Sequence, residues 1–161
     1  MKLNKVLITG GAGYLGSVIT RRLLKNHNVT VLDNLMYNQI PLIDLCGNPQ
    51  FKFIHGDVRD YKLLIEQVQK HDVIIPLAAL VGFPACENDK QLANQVNFLH
   101  IKDIVDNLTG EQMLLFPNTN SGYGSRAQGV VNETNKLTPI SHYGQTKCDA
   151  ENYIKSYSNG I

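Results

Sequence analysis

Tyr143 and Lys147, four residues apart, carry the clearest reactive chemistry in this 161-residue sequence. On a helix that spacing puts both side chains on one face. A free phenol titrates near pH ~10, so little phenolate exists at neutral pH. An ammonium fixed a few ångströms away would stabilise the phenolate. A shift of two to three units needs roughly 3–4 kcal/mol, which a partly dehydrated site can supply. The pair therefore reads as an acid/base device, provided that the fold puts it beside a substrate.

A second pattern says what that fold would hold. Gly10, Gly13 and Gly16 stand in Thr9-Gly10-Gly11-Ala12-Gly13-Tyr14-Leu15-Gly16, directly after a short apolar run and at the start of a helical pattern. A dinucleotide needs glycines there for a tight turn, for close approach of backbone to pyrophosphate, and for tight packing of the helix on the sheet. The helix N-terminus then offers free N–H groups and partial positive charge to the phosphates. Asp33, in Val31-Leu32-Asp33-Asn34, ends the next apolar run. A carboxylate at that place accepts hydrogen bonds from adenosine ribose hydroxyls and repels a 2′-phosphate. No arginine follows it nearby, so NAD is favoured over NADP.

The elements that must position these groups alternate along the chain, short β-rich runs with longer helical ones, which predicts a parallel sheet with crossover helices. Strands are expected at Val6 to Ile8, Val29 to Leu32, Phe51 to Ile54, Val73 to Ile75 and Met113 to Phe116. Helices are expected at Tyr14 to Lys25, with Leu15, Val18, Ile19 and Leu23 as the apolar stripe, and at Tyr61 to Lys70. A long helix over Gln91 to Leu108 should bury Leu92, Val96, Leu99, Ile104 and Leu108, and the last helix should run from Ser141 to Ser158. Gly122 to Thr138 reads as mostly loop, and Ser158 to Gly160 as a helix C-cap before Ile161.

Composition narrows the class. Apolar residues make up 43% and charged residues 18%, which excludes a disordered chain, and a net charge of +1 gives no polybasic surface for nucleic acid or membrane. Cys46, Cys86 and Cys148 are widely spaced, with no Cys/His cluster at metal spacing, so neither a zinc site nor a disulfide framework is expected. The apolar stretch from Val73 to Phe83 is broken by Pro76 and Gly82 and is too short to cross a bilayer. The N-terminus does not read as a signal peptide, and the expected location is the cytoplasm.

With these motifs in place, the sequence resembles the extended short-chain dehydrogenase/reductases, the NAD-dependent epimerase/dehydratase group, along its whole length. The Gly-x-x-Gly-x-x-Gly spacing is theirs. Gly56-Asp57-Val58-Arg59-Asp60 resembles their adenine-binding turn, with Asp57 and Val58 at the base. Leu77-Ala78-Ala79 matches the segment that lines the cofactor, and Asn97 matches the asparagine of the fourth helix. Tyr143 and Lys147 match the catalytic pair, and alignment on Tyr123-Gly124 selects Thr119 as the substrate-hydroxyl donor, with Ser121 second. The resemblance implies NAD as cofactor, held by Gly10, Gly13, Tyr14, Leu15, Gly16, Asp33, Asn34, Asp57, Val58, Leu77, Ala78, Ala79, Asn97, Tyr143 and Lys147, with no metal. It also implies that Lys147 bonds the nicotinamide ribose and that the positive nicotinamide helps to stabilise the Tyr143 phenolate.

Departures from the family pattern narrow the reaction. Pro76 stands where the family usually has a histidine, and His100 where it usually has a glycine. The 4,6-dehydratases follow the threonine with Asp and Glu, whereas this chain has Asn120 and Ser121, so elimination is disfavoured and oxidation or epimerisation at C4 of a nucleotide sugar remains. Many UDP-galactose 4-epimerases carry a lysine where Val81 stands, and the surrounding segments look most like bacterial surface-polysaccharide enzymes, some of which oxidise GDP-linked heptoses. Residues 1–161 are thus expected to form one NAD-binding domain, an α/β Rossmann-type doubly wound parallel sheet truncated before the last strands and the substrate domain. A nucleotide sugar is the expected partner, with a second copy or a complementing substrate domain as further partners. A non-catalytic NAD sensor or scaffold on the same fold, or an inactive fragment, is the rival expectation.

Overall fold

A computed structural model describes residues 4–125 and 130–157. It divides into two compact units. The first takes in the described chain up to Ala78 together with Asp103–Pro117, and the second takes in Ala79–Lys102 and the described chain from Asn118 onward.

The first unit holds five parallel strands, β1 (Lys5–Thr9), β2 (Asn28–Asp33), β3 (Phe51–His55), β4 (Val73–Pro76) and β5 (Met113–Leu114), in the order β3-β2-β1-β4-β5. Near-continuous Val, Ile and Leu runs form β1, β2 and β4 because both faces of a parallel sheet are covered. Leu7, Ile8, Val31, Leu32 and Ile74 have no exposed surface. Register pairs Thr9 with Leu32 and with Pro76, and Asp33 with His55, so the strands finish level with one another. Gly10, Asn34, Gly56 and Leu77 therefore follow at the carboxyl edge. Chain order reverses between β1 and β4, and it is at such a switch point that open α/β sheets bind ligands.

The fold class is as expected, and local differences have identifiable causes. β5 is two residues long instead of four, because extending its ladder beyond the Leu115 N–H bond to the Ile74 carbonyl would need an N–H from Pro76. Helix α1 (Tyr14–Leu23) buries Gly16 and Thr20, while Leu15 and Val18 from the expected stripe are exposed. The small residues face the sheet because they let the helix approach closely. Helix α2 (Tyr61–Val68) starts as a capped helix should, with Asp60 accepting from the Leu63 N–H at 3.1 Å.

In the second unit, α3 (Phe83–Asn88) is an element with no counterpart among the expected ones; its sequence signal is the proline in its first turn. The expected long helix is present as α4 (Lys90–Asn94), a π turn (Gln95–Leu99) and α5 (His100–Asp106), whose residues from Asp103 onward are counted in the first unit. The wider π turn rotates the following residues about the axis. Leu99 is consequently 38% exposed, whereas Asn97, His100, Ile101 and Val105 are buried in addition to Val96 and Ile104. Leu108 lies beyond the helix end. Helix α6 (His142–Ser156) is capped by Ser141, whose hydroxyl accepts from the Gly144 N–H at 3.0 Å. The expected C-cap at Ser158 to Gly160 lies outside the described residues.

One polar group in the first unit ties stability to pH. The His71 ring is buried, with Nδ1 2.6 Å from the Gln67 carbonyl and Nε2 2.8 Å from Thr30 Oγ1. A carbonyl only accepts, so Nδ1 carries the proton and Nε2 accepts from the threonine. Burial pushes the imidazole pKa down, against an opposing contribution from the Gln67 bond. The folded state therefore prefers neutral histidine, and stability is lost as pH falls through the unfolded value near ~6.5. Urea unfolding between pH 7.5 and 5.5 should show a falling midpoint, and His71→Gln should flatten that slope.

Candidate active site

The turn after β1 is closed by backbone contacts that leave no space for side chains. Gly10 has φ 70°, and a Cβ there would lie 2.4 Å from the Ala78 backbone nitrogen. Its N–H donates to the Leu32 carbonyl at 2.8 Å, and its own carbonyl accepts from the Gly13 N–H at 3.1 Å. A Cβ on Gly16 would meet the Gly11 Cα at 2.5 Å, which is how α1 comes to start against the turn. The N-cap of α1 is Gly13, with no side-chain cap and no acid in the first turn, so the helix keeps unneutralised N–H groups at that end. Tyr14 is 88% exposed beside them, with Leu15 exposed too.

Asp33 links this turn to β2. Its Oδ2 accepts from the Ala12 N–H at 2.9 Å and its Oδ1 from the Leu35 N–H at 2.8 Å. Leu35 reaches that place by adopting φ 53°, a rare conformation for a bulky side chain. Asn34 donates from Nδ2 to Asp57 Oδ2 at 3.2 Å. Asp57 is gripped by Arg59, with Nε 2.9 Å from Oδ1, Nη2 2.7 Å from Oδ2, and the backbone N–H 2.9 Å from Oδ1. Above all the Arg59 bond holds this carboxyl down at about 2. Val58 beside it is buried, and Leu77 and Ala78 back onto β1 through N–H bonds to Thr9 at 2.8 Å and 3.4 Å. Gly10, Gly13, Gly16, Asp33, Asn34, Asp57, Val58, Leu77 and Ala78 thus all lie in the first unit.

The remaining expected residues, Ala79, Asn97, Thr119, Tyr143 and Lys147, lie in the second unit. Tyr143 and Lys147 sit one turn apart near the start of α6. Thr119 neighbours the Tyr143 phenol and favours its ionised form, and the ring packs against Leu80, Cys86 and Ala93. Thr119 Oγ1 also accepts from the Ser121 N–H at 3.2 Å, so it caps the 3-10 turn Asn120–Tyr123 while facing the phenol. Asn97, at the centre of the π turn, donates from Nδ2 to the Leu80 carbonyl at 3.0 Å and to Thr146 Oγ1 at 3.2 Å. Its Oδ1 accepts from the Leu80 N–H at 2.8 Å. Both amide donors are thus engaged by protein, on the segment that carries Ala79 and on α6.

Burial pushes the Tyr143 phenol up from its ordinary value, with Thr119 opposing. Lys147 is 7% exposed, and burial lowers its ammonium to about 8. Cys86 and Cys148 are buried thiols whose pKa values burial raises. Among the described residues no group of His, Cys, Asp and Glu could hold a metal ion, and no helix is long and apolar enough to cross a membrane.

Residues 6–160 match the NAD dependent epimerase/dehydratase family, and the chain belongs to it. The putative UDP-glucose 4-epimerase of Methanocaldococcus jannaschii is 31% identical over 162 residues, covering 95% of this chain and 50% of that protein. The low-salt glycan biosynthesis protein Agl12 of Haloferax volcanii is 31% identical over 168 residues, covering 94% of this chain and 51% of that protein. Among solved structures, the UDP-Glc/GlcNAc 4-epimerase of Campylobacter jejuni superposes with a TM-score of 0.88 at 32% identity, over 96% of this chain and 49% of that one. The UDP-glucuronic acid 4-epimerase of Bacillus cereus, solved with UDP-glucuronic acid and NAD, superposes with a TM-score of 0.87 at 28% identity, over 97% and 52%. The chain spans about half the length of the relatives it matches.

Two substitutions test this geometry. Gly10→Ala must strain the backbone and displace Ala78, and should lower stability by about 2–4 kcal/mol in denaturant unfolding. Lys147→Met should do the opposite at pH 7. A lysine whose folded pKa is lowered carries its penalty in full below pH 8, and the penalty fades as pH rises to the unfolded value of 10.5. The gain from Lys147→Met is bounded at about 3 kcal/mol at pH 7 and should vanish near pH 11.

Proposed function

We propose that the chain carries the NAD-binding and proton-transfer residues of an enzyme that oxidises a nucleotide-activated sugar at C4, as a 4-oxidase or a 4-epimerase, in cytoplasmic surface-polysaccharide biosynthesis. The observation that carries this reading is Tyr143 one helical turn from a buried Lys147 on α6, with Thr119 next to the phenol. The family supports NAD as the dinucleotide, and its relatives named as 4-epimerases support the sugar substrate.

The first unit fits a dinucleotide. A Cβ would fill the turn at Gly10, the start of α1 has no acid against a pyrophosphate, and the Asp33 carboxylate stands at the end of β2. Gly10, Gly13, Tyr14, Leu15 and Gly16 would hold the pyrophosphate, Asp33 and Asn34 the adenosine ribose, Asp57 and Val58 the adenine. Leu77, Ala78, Ala79, Asn97, Tyr143 and Lys147 complete the proposed set. When bound, NAD+ supplies the hydride acceptor. Thr119 Oγ would bond the substrate hydroxyl, and Tyr143 Oη would take its proton as the C–H bond breaks. Lys147 as ammonium would favour the resulting phenolate.

By the resemblance to the family, Asn120 and Ser121 occupy the two positions where the 4,6-dehydratases carry Asp and Glu. Neither side chain ionises, so oxidation, with or without re-reduction, is favoured over elimination.

Single-turnover absorbance of the nicotinamide with a panel of UDP-, GDP- and dTDP-sugars tests the reading, on this chain and on a form extended to the length of its relatives. At least one sugar should yield NADH with the extended form, and Tyr143→Phe should slow it by about 10²–10⁴-fold. NAD binding with no hydride transfer from any sugar would move the sensor reading ahead.

A further inference from the structure

Thr119 has a fixed position for a reason that lies outside the Thr119, Tyr143 and Lys147 group. Asn118, the residue before it, accepts the Thr119 N–H on its own Oδ1 at 2.8 Å. Its Nδ2 donates to Glu151 Oε2. Glu151 is on α6, one turn beyond Lys147 and two turns beyond Tyr143, and its other oxygen accepts from Lys155. The Glu151 side chain is only 24% exposed, so it is held between these two donors and not free in solvent.

From these contacts we infer that Glu151 and Asn118 are positioning residues, which set the Thr119 hydroxyl against Tyr143. The inference rests on the functional reading only in taking Thr119 and Tyr143 as the reacting groups. The contacts form a chain. It starts on α6, which carries both Tyr143 and Glu151. It continues from Glu151 to the Asn118 amide and from Asn118 to the Thr119 backbone, and Thr119 neighbours the phenol. A carboxylate can only accept, so it fixes which end of the Asn118 amide faces α6. The carbonyl end is then left for the Thr119 N–H. Because the charge-assisted Glu151 bond ties the loop to α6, the Thr119 backbone moves away from that helix only if the bond breaks.

The test follows the Cζ resonance of Tyr143 at pH 7 in chain labelled with ring-13C tyrosine, assigned by its loss in Tyr143→Phe. Thr119→Val defines the displacement that removal of the hydroxyl causes. Glu151→Ala and Asn118→Ala should each move the resonance most of the way in the same direction. Glu151→Gln, which keeps an oxygen for Asn118, should leave it near the wild-type position. Combined with Thr119→Val, Glu151→Ala should add no further displacement, the result required of a residue that acts through Thr119. The other tyrosine resonances report any general loss of structure, and Asn118→Ala carries the test if Glu151→Ala fails to fold. An unmoved resonance, or a Glu151→Ala displacement that persists in full beside Thr119→Val, would overturn the inference. Absence of hydride transfer with a closed cycle would remove the functional reading alone.

Discussion

Asp33 is the carboxylate on which the organisation of the first unit's carboxyl edge depends. It accepts from Ala12 in the glycine turn and from Leu35 in the segment after β2, and so ties two loops that leave adjacent strands. The turn in its grip has no space for a side chain at Gly10, and Leu35 gives its N–H only at the cost of a left-handed backbone. Strain of that kind persists where the surroundings over-determine it, and it clusters at ligand sites. The helix that begins at this turn owes its tight start to Gly16, and its open N–H groups to the lack of a side-chain cap. One ionised side chain therefore organises the turn, the strand end and the loop that a dinucleotide would touch.

The second unit is built around a different constraint, the burial of groups that would rather be in water. Lys147 and Tyr143 are both pushed toward their neutral forms. A neutral phenol beside a lysine that titrates near 8 is a poised arrangement: little free energy separates the two protonation states of the ammonium around neutral to mildly alkaline pH.

The strands, the glycine turn and Asp33 were legible in the sequence because each rests on a local rule: continuous apolar runs for buried parallel strands, glycine where a side chain would collide, and an acid at a strand end. The buried faces of the helices were less legible. Leu15 and Val18 are apolar yet exposed, and residue type does not say which side of α1 meets the sheet. A period of 3.6 placed Leu99 inside, and the π turn around Asn97 turned it out. The direction of the Tyr143 shift depends on burial, which spacing does not reveal. Asn118 and Glu151 are 33 residues apart, so only the folded chain brings them together.

The most direct test of the central claim is calorimetric titration of the chain with NAD+ and NADP+. One NAD+ should bind per chain, with NADP+ at least about tenfold weaker because the Asp33 carboxylate repels a 2′-phosphate. Equal affinity for the two, a preference for NADP+, or binding of neither would contradict the account.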